Sequence, residues 1–221
     1  MKTFEQYLEE GKNDKGIFHV VFMAGGPGSG KSWVVKNLGL RMMNLALINS
    51  DIAFKAAMKK SLLSLKMPDG EKYARDIVRD ISKKTTKKKF ELAVMGRLGM
   101  VIDGTGKDFK KIKKMKEEFE KMGYESAMIF VDTDLDTAQQ RNIDREKEGD
   151  RSLPPEDVAK FWKEVQDNKG KFNTMFQKRF FLVDNSKDSE YAGFKKAHSK
   201  IKTWTSKNPN NDLVKDWMNA N

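Results

Sequence analysis

Short apolar runs recur along the chain at 17–23, 45–49, 99–103, 127–132 and 180–184, separated by much more polar stretches. Runs of this length, rich in Val, Ile, Leu and Phe and alternating with amphipathic segments, predict a parallel sheet covered by helices on both faces, an α/β architecture with a central five-stranded sheet. The connecting helices are expected over 31–40, 51–65, 107–122 and 134–148, each polar on one side. Over 107–122 the apolar positions Phe109, Ile112, Met115 and Phe119 carry the helical spacing. Pro154, just ahead of Glu156 and Asp157, reads as the start of a further helix.

One segment departs from this alternation. Between the second and third strands, about 67–98, the chain opens with Pro68, Asp69 and Gly70 and continues as one or two helices, an expected helical insertion over the active site. The first dozen residues suggest a short amphipathic helix through Phe4, Tyr7 and Leu8, and 11–16 is polar. The tail reads as helical over 191–204, breaks at Asn208, Pro209 and Asn210, and ends in a short helix carrying Leu213 and Trp217. The region of Trp204 and Trp217 is expected to cap the domain. There is no internal repeat. The 221 residues therefore read as a single domain, 1–221, with a core at about 17–184, an insertion at about 67–98, a lid at about 141–155 and C-terminal helices at about 189–221.

Hydrophobic residues make up 38% of the sequence, enough for a chain of this length to bury a core. The absence of cysteine rules out a disulfide framework, a thiolate nucleophile and a Cys-based zinc site, and leaves His19 and His198 as the two imidazoles. No stretch approaches the ~20 apolar residues of a membrane helix. Residues 1–10 are too polar and acidic for a signal peptide, so a cytoplasmic location without membrane association is expected. The net charge of +11 favours an anionic partner, nucleic acid or nucleotide. Lys83, Lys84, Lys87, Lys88 and Lys89 form a candidate binding patch, with a solvated helix face as the alternative; the lysines between 107 and 116 fit the polar face of the helix there.

Gly25, Gly26, Pro27, Gly28, Ser29, Gly30, Lys31 and Ser32 satisfy G-x-x-x-x-G-K-[ST] and lie between the first predicted strand and a helix, where a phosphate-binding loop must lie. Glycines let successive N–H groups face the β-phosphate, and the positive end of the following helix adds to the attraction. Lys31 is expected to bridge the β- and γ-phosphates of ATP, and the Ser32 hydroxyl to ligate Mg²⁺.

Asp51 follows the second strand at its carboxyl end, the ligand side of an open α/β sheet. It can act there as the base that takes the proton of an attacking hydroxyl, or as the N-cap of the next helix, or as both. Asp103 closes the third apolar run as a Walker B acid would, serving Mg²⁺, a substrate contact or a turn. Arg141, Arg145 and Arg151 come before Ser152, Leu153, Pro154 and Pro155 in a stretch with the look of a lid. From there they can offset charge on the transferring phosphoryl group, although Arg141 and Arg145 have Asp144, Glu146 and Glu148 nearby as simple surface partners.

Taken together, the loop at 25–32, the turn Asn49, Ser50, Asp51, the strand end Asp103, Gly104, Thr105, and the arginine helix leading to Arg151 and Pro154 resemble the zeta toxin and polynucleotide kinase group of P-loop kinases. The resemblance covers about 17–184. It implies an ATP- and Mg²⁺-dependent kinase with Asp51 as base and Arg151, with Arg145, as lid arginines. The group includes viral kinases acting on 5-hydroxymethyluracil within DNA, and this small basic chain resembles a bacteriophage product of that kind. The implied acceptor is a hydroxyl on nucleic acid, DNA first. A nucleoside, nucleotide or nucleotide sugar is the alternative, and an ATPase without transfer is a third reading.

Overall fold

Five strands, β1 (His19–Ala24), β2 (Ala46–Ile48), β3 (Met100–Asp103), β4 (Glu125–Asp132) and β5 (Phe180–Asp184), form one sheet in the computed structural model, which describes residues 14, 16–150, 152–186 and 192–220. Every pairing is parallel, in the order β2-β3-β1-β4-β5. Parallel neighbours require crossovers. These are α1 (Lys31–Asn37), α2 (Ser50–Lys60), α3 (Lys72–Met95), α4 (Phe109–Lys121), α5 (Leu135–Lys147) and α6 (Pro155–Phe176), with α7 (Ala192–Thr205) and α8 (Asp212–Ala220) following β5. The strands match the apolar runs to within two residues. β4 begins earlier than its apolar run because Glu125 and Ser126 already pair with His19 and Val20.

Alternation along β1 divides the core into two layers. Val20, Phe22 and Ala24 face Phe119 of α4, Phe172 of α6 and Val214 of α8. Val21 and Met23 face Val34 of α1, Leu38 just past its end, and Ala197 and Ile201 of α7. All six residues of β1 are buried, so the loop that follows leaves a fixed support.

The insertion is a single 24-residue helix, α3, entered through a 3₁₀ turn at Asp69–Glu71. It packs on α2. Its C-terminal part is held to the sheet by Phe90 and Val94 against the core and by Lys89 Nζ donating to the Leu47 carbonyl at 2.8 Å. Trp204 and Trp217 of the tail lie at the amino end of the sheet. Trp217 lies edge-on to Phe18 at 5.4 Å, and Trp204 donates to Glu125 at 2.7 Å and stands edge-on to His19. The amphipathic stretch expected through Phe4, Tyr7 and Leu8 lies outside the described residues. Among the described residues no helix is long and apolar enough to cross a membrane.

Candidate active site

The loop between β1 and α1 is wedged between two helices, and its glycines are sites of contact as well as of turning. A Cβ on Gly28, at φ 73°, would lie 2.3 Å from the Ala138 carbonyl oxygen of α5. One on Gly30, at φ 82°, would lie 2.2 Å from Asn185 Nδ2. Only glycine fits at either position. Gly26 lies against Trp162 of α6, whose indole N–H donates to the Thr133 carbonyl at 2.8 Å. Asn185, just past β5, donates to the Ser29 carbonyl at 2.7 Å. Gly25 N–H donates to Thr105 O at 2.9 Å, tying the loop to the end of β3.

Lys31 donates to the carbonyls of Gly25 and Gly26 at 2.5 and 3.1 Å. Burial pushes its pKa from 10.5 down to about 8; Asp103 and Asp51 oppose the shift and Arg145 adds to it. For Asp103, burial raises the carboxyl above its ordinary 3.8, against Lys31 and a hydrogen bond from Asn49 Nδ2 at 2.5 Å, while Asp51 reinforces it. Lys31, Asp51, Asp103 and Arg145 therefore form one electrostatic cluster at the carboxyl ends of β2 and β3. Ser32 and Asp103 line the same cavity of about 310 Å³. A hydroxyl with one carboxylate is the donor set that suits Mg²⁺ when substrate phosphates and water complete its shell.

The N-cap of α2 is Asn49, not Asp51. Asn49 Oδ1 accepts from the N–H groups of Asp51 and Ile52 at 2.7 and 3.1 Å. One asparagine thus caps α2 with its oxygen and holds Asp103 with its nitrogen. Asp51, released from capping, receives Arg79 Nη1 of α3 at 2.6 Å, and 66% of its side chain remains exposed. Arg79 also lies over the Phe54 ring at 4.7 Å. This arginine carries no motif in the sequence. Its role is set by the packing of α3 on α2.

From α5, Arg141 donates to the Gly28 carbonyl at 3.3 Å, and Arg145 is near enough to depress the pKa of Lys31. Neither has a carboxylate partner among the described residues; Asp144 instead takes Gln140 and Lys147. Asn142 fixes the segment after α5 by donating to Leu153 O at 2.7 Å and accepting from Leu153 N at 2.9 Å. Lys55 of α2 meets Asp150 at 2.5 Å, linking that segment to α2. Arg151 lies outside the described residues.

The lysine patch is partly neutralised in place. Lys83 pairs with Asp80, Lys87 with Glu91, and Lys89 is engaged with Leu47. A second basic feature lies beside the β3 end, an open cleft of about 660 Å³ lined in part by Lys107, Lys110 and Lys171, with Lys107 over the Phe161 ring at 4.6 Å.

With this geometry established, comparison with known proteins is decisive for the family. The zeta toxin family model matches residues 6–192. The chain belongs to the zeta toxin family. Adenylate kinase isoenzyme 1 of Cyprinus carpio is 29% identical over 147 residues, 64% of this chain and 71% of the relative. The structure described for the PezAT toxin–antitoxin system of Streptococcus pneumoniae superposes with a TM-score of 0.57 at 15% identity, covering 97% of this chain and 92% of that one. A chain of the Pnkp1/Rnl/Hen1 RNA repair complex gives 0.52 at 18% identity over 70% of this chain and 46% of the other. These similarities establish a P-loop kinase fold, and this member of the zeta toxin family is an ATP-dependent phosphotransferase.

Proposed function

We propose that the chain transfers the γ-phosphate of ATP, with Mg²⁺, to a hydroxyl carried by nucleic acid, either a hydroxymethylated base in DNA or a polynucleotide 5′-OH. The observation that carries this reading is the setting of Asp51: a largely exposed carboxylate paired with Arg79, near enough to Lys31 and Asp103 to act on both, and directly ahead of Ile52 in a cavity that Lys36 and Arg41 also line. An acceptor attached to a polyanion can reach such a carboxylate without being enclosed. A target base inside a duplex would have to be flipped out.

In this reading the acceptor oxygen attacks the γ-phosphorus, Asp51 takes the hydroxyl proton, and the bond to the bridging oxygen breaks with its electron pair leaving on ADP. Lys31 balances charge on the β- and γ-phosphates, and Arg141, Arg145 and Arg151 act from the lid side. Ser32 and Asp103 would hold Mg²⁺, which supplies charge neutralisation at the phosphates when bound. The resemblance in fold to a chain of an RNA repair complex and the +11 charge support a nucleic-acid acceptor.

The pairing of Lys83 and Lys87 within α3, and of Lys89 with the Leu47 carbonyl of β2, favours the second reading, a nucleoside, nucleotide or nucleotide sugar as acceptor. Transfer from γ-labelled ATP to a matched panel separates the two: 5′-hydroxyl DNA and RNA, end-blocked DNA containing 5-hydroxymethyluracil, nucleosides and nucleotide sugars. Label on a polymer, falling steeply as salt rises, is the expected result. Label on small molecules alone, indifferent to salt, would replace it with the second reading.

A further inference from the structure

The cavity of about 310 Å³ that Ser32 and Asp103 share has a lining the phosphate chemistry does not use. It runs outward between α1, the 3₁₀ turn Leu40–Met43, β2 and the start of α2. Its walls are Val35, Leu47 and Ile52, the first two buried and the third 47% exposed immediately after Asp51. At its rim stand Lys36 and Arg41, both exposed and without a hydrogen-bond or ion-pair partner among the described residues, although many other cations of this chain are paired.

We propose that this cavity seats the non-reacting part of the acceptor, and that the acceptor unit is a single flat heterocycle with a phosphate beside it, one nucleotide's worth of structure. The inference rests on the reading of Asp51 as the transfer end of the site and specifies what is presented there. Volume limits the occupant. The cavity lies at the small end of the ~300–1,000 Å³ typical of small-molecule sites, room for one unit and not for a duplex. Wall chemistry limits it further: three aliphatic side chains suit a ring face, whereas a polyol would leave its hydroxyls against groups that cannot bond them. The rim requires an anion, since two unpaired cations flank the opening and a phosphate is the group that nucleotide units carry there. A polymer acceptor satisfies all three conditions only with one nucleotide extruded, its ring between Val35, Leu47 and Ile52 and a flanking phosphate at Lys36 and Arg41.

The test needs no transfer step. Full-length protein is saturated with Mg²⁺ and a non-hydrolysable ATP analogue, which fills the phosphate loop, and is then titrated calorimetrically with thymidine 5′-monophosphate, thymidine or inorganic phosphate. One molecule of the monophosphate is expected to bind, at least tenfold more tightly than either fragment. Lys36→Glu and Arg41→Glu, both at exposed positions, are expected to reduce its affinity to that of thymidine, and Ile52→Trp to fill the cavity and abolish binding, with melting temperatures held. Absence of a second binding event, or binding that survives both the charge reversals and Ile52→Trp, would overturn the proposal. The acceptor panel fails or succeeds independently: label confined to nucleotide sugars would remove the polymer reading without altering this isotherm.

Discussion

Asp103 and Lys31 show how the site opposes the fold at the scale of single residues. Both are partly buried charges, and their desolvation moves each pKa toward neutrality. A carboxyl raised above 3.8 in the folded state contributes stability that is fully present below its unfolded pKa and is lost as pH rises through the folded one. At neutral pH the Asp103 carboxylate therefore costs stability. Asp103→Asn is expected to raise the melting temperature of the nucleotide-free protein, by ~2–4 °C for each kcal/mol relieved, while cutting Mg²⁺-dependent transfer at least a hundredfold. A lower melting temperature would contradict the account of Asp103.

Arg79 calls for a different argument, because its partner Asp51 is exposed and such a pair contributes only ~0–1 kcal/mol. Arg79→Gln should leave the melting temperature within a few degrees yet lower kcat about tenfold or more, with Arg79→Lys recovering part of it. Unchanged kcat would reduce the pair to a surface contact. The loop chemistry at 25–32 was legible because its residues are contiguous. Arg79, Trp162 and Asn185 were not, because each reaches the site across a separation that no local pattern encodes.

Among the elements, the strands were the most readable, since burial on both faces leaves an uninterrupted apolar run. α3 was harder. Its lysine-rich middle has no apolar period, and Ser82, Thr85 and Thr86 satisfy their hydroxyls on carbonyls four residues back, which lets a polar run continue as helix. For α6 the proline start was visible, but its 22-residue extent depends on Val158, Val165, Phe172 and Phe176 reaching the core. The wedging of the phosphate loop by α5 and α6 gives an element-level prediction. Gly28→Ala drives a methyl into the Ala138 carbonyl, so the loop must shift; ATP affinity should fall at least tenfold while the far-ultraviolet circular dichroism is retained. Normal ATP affinity in this variant would show that the loop is not held as described.

Across the whole molecule, the proposed site and the tryptophan-lined closure lie at opposite ends of the sheet. Asp51 lies just past the carboxyl end of β2 and Asp103 ends β3, while Trp204 and Trp217 close the amino end over His19 and Phe18. His19 is buried there, its Nδ1 2.8 Å from the Ile17 carbonyl, and burial lowers its pKa below 6.5 despite that contact and the nearby Glu125. A histidine depressed in this way contributes stability above pH 6.5 that is lost as pH falls through its folded value. The melting temperature of the wild type should therefore fall more steeply below pH 6.5 than that of His19→Phe; parallel curves would exclude the imidazole as the cause. Such a change acts far from the site and should leave the ATP KM unaltered.

The proposed role of Asp51 is to activate an acceptor hydroxyl beside the bound ATP. It is tested most directly by measuring γ-phosphate transfer by wild type and Asp51→Asn to the best acceptor of the panel, alongside the ATP dissociation constant of each. Transfer is expected to fall at least a thousandfold in Asp51→Asn while ATP binds within twofold of wild type. Transfer at the wild-type rate in Asp51→Asn would contradict it, as would a wild-type protein that passes label only to water.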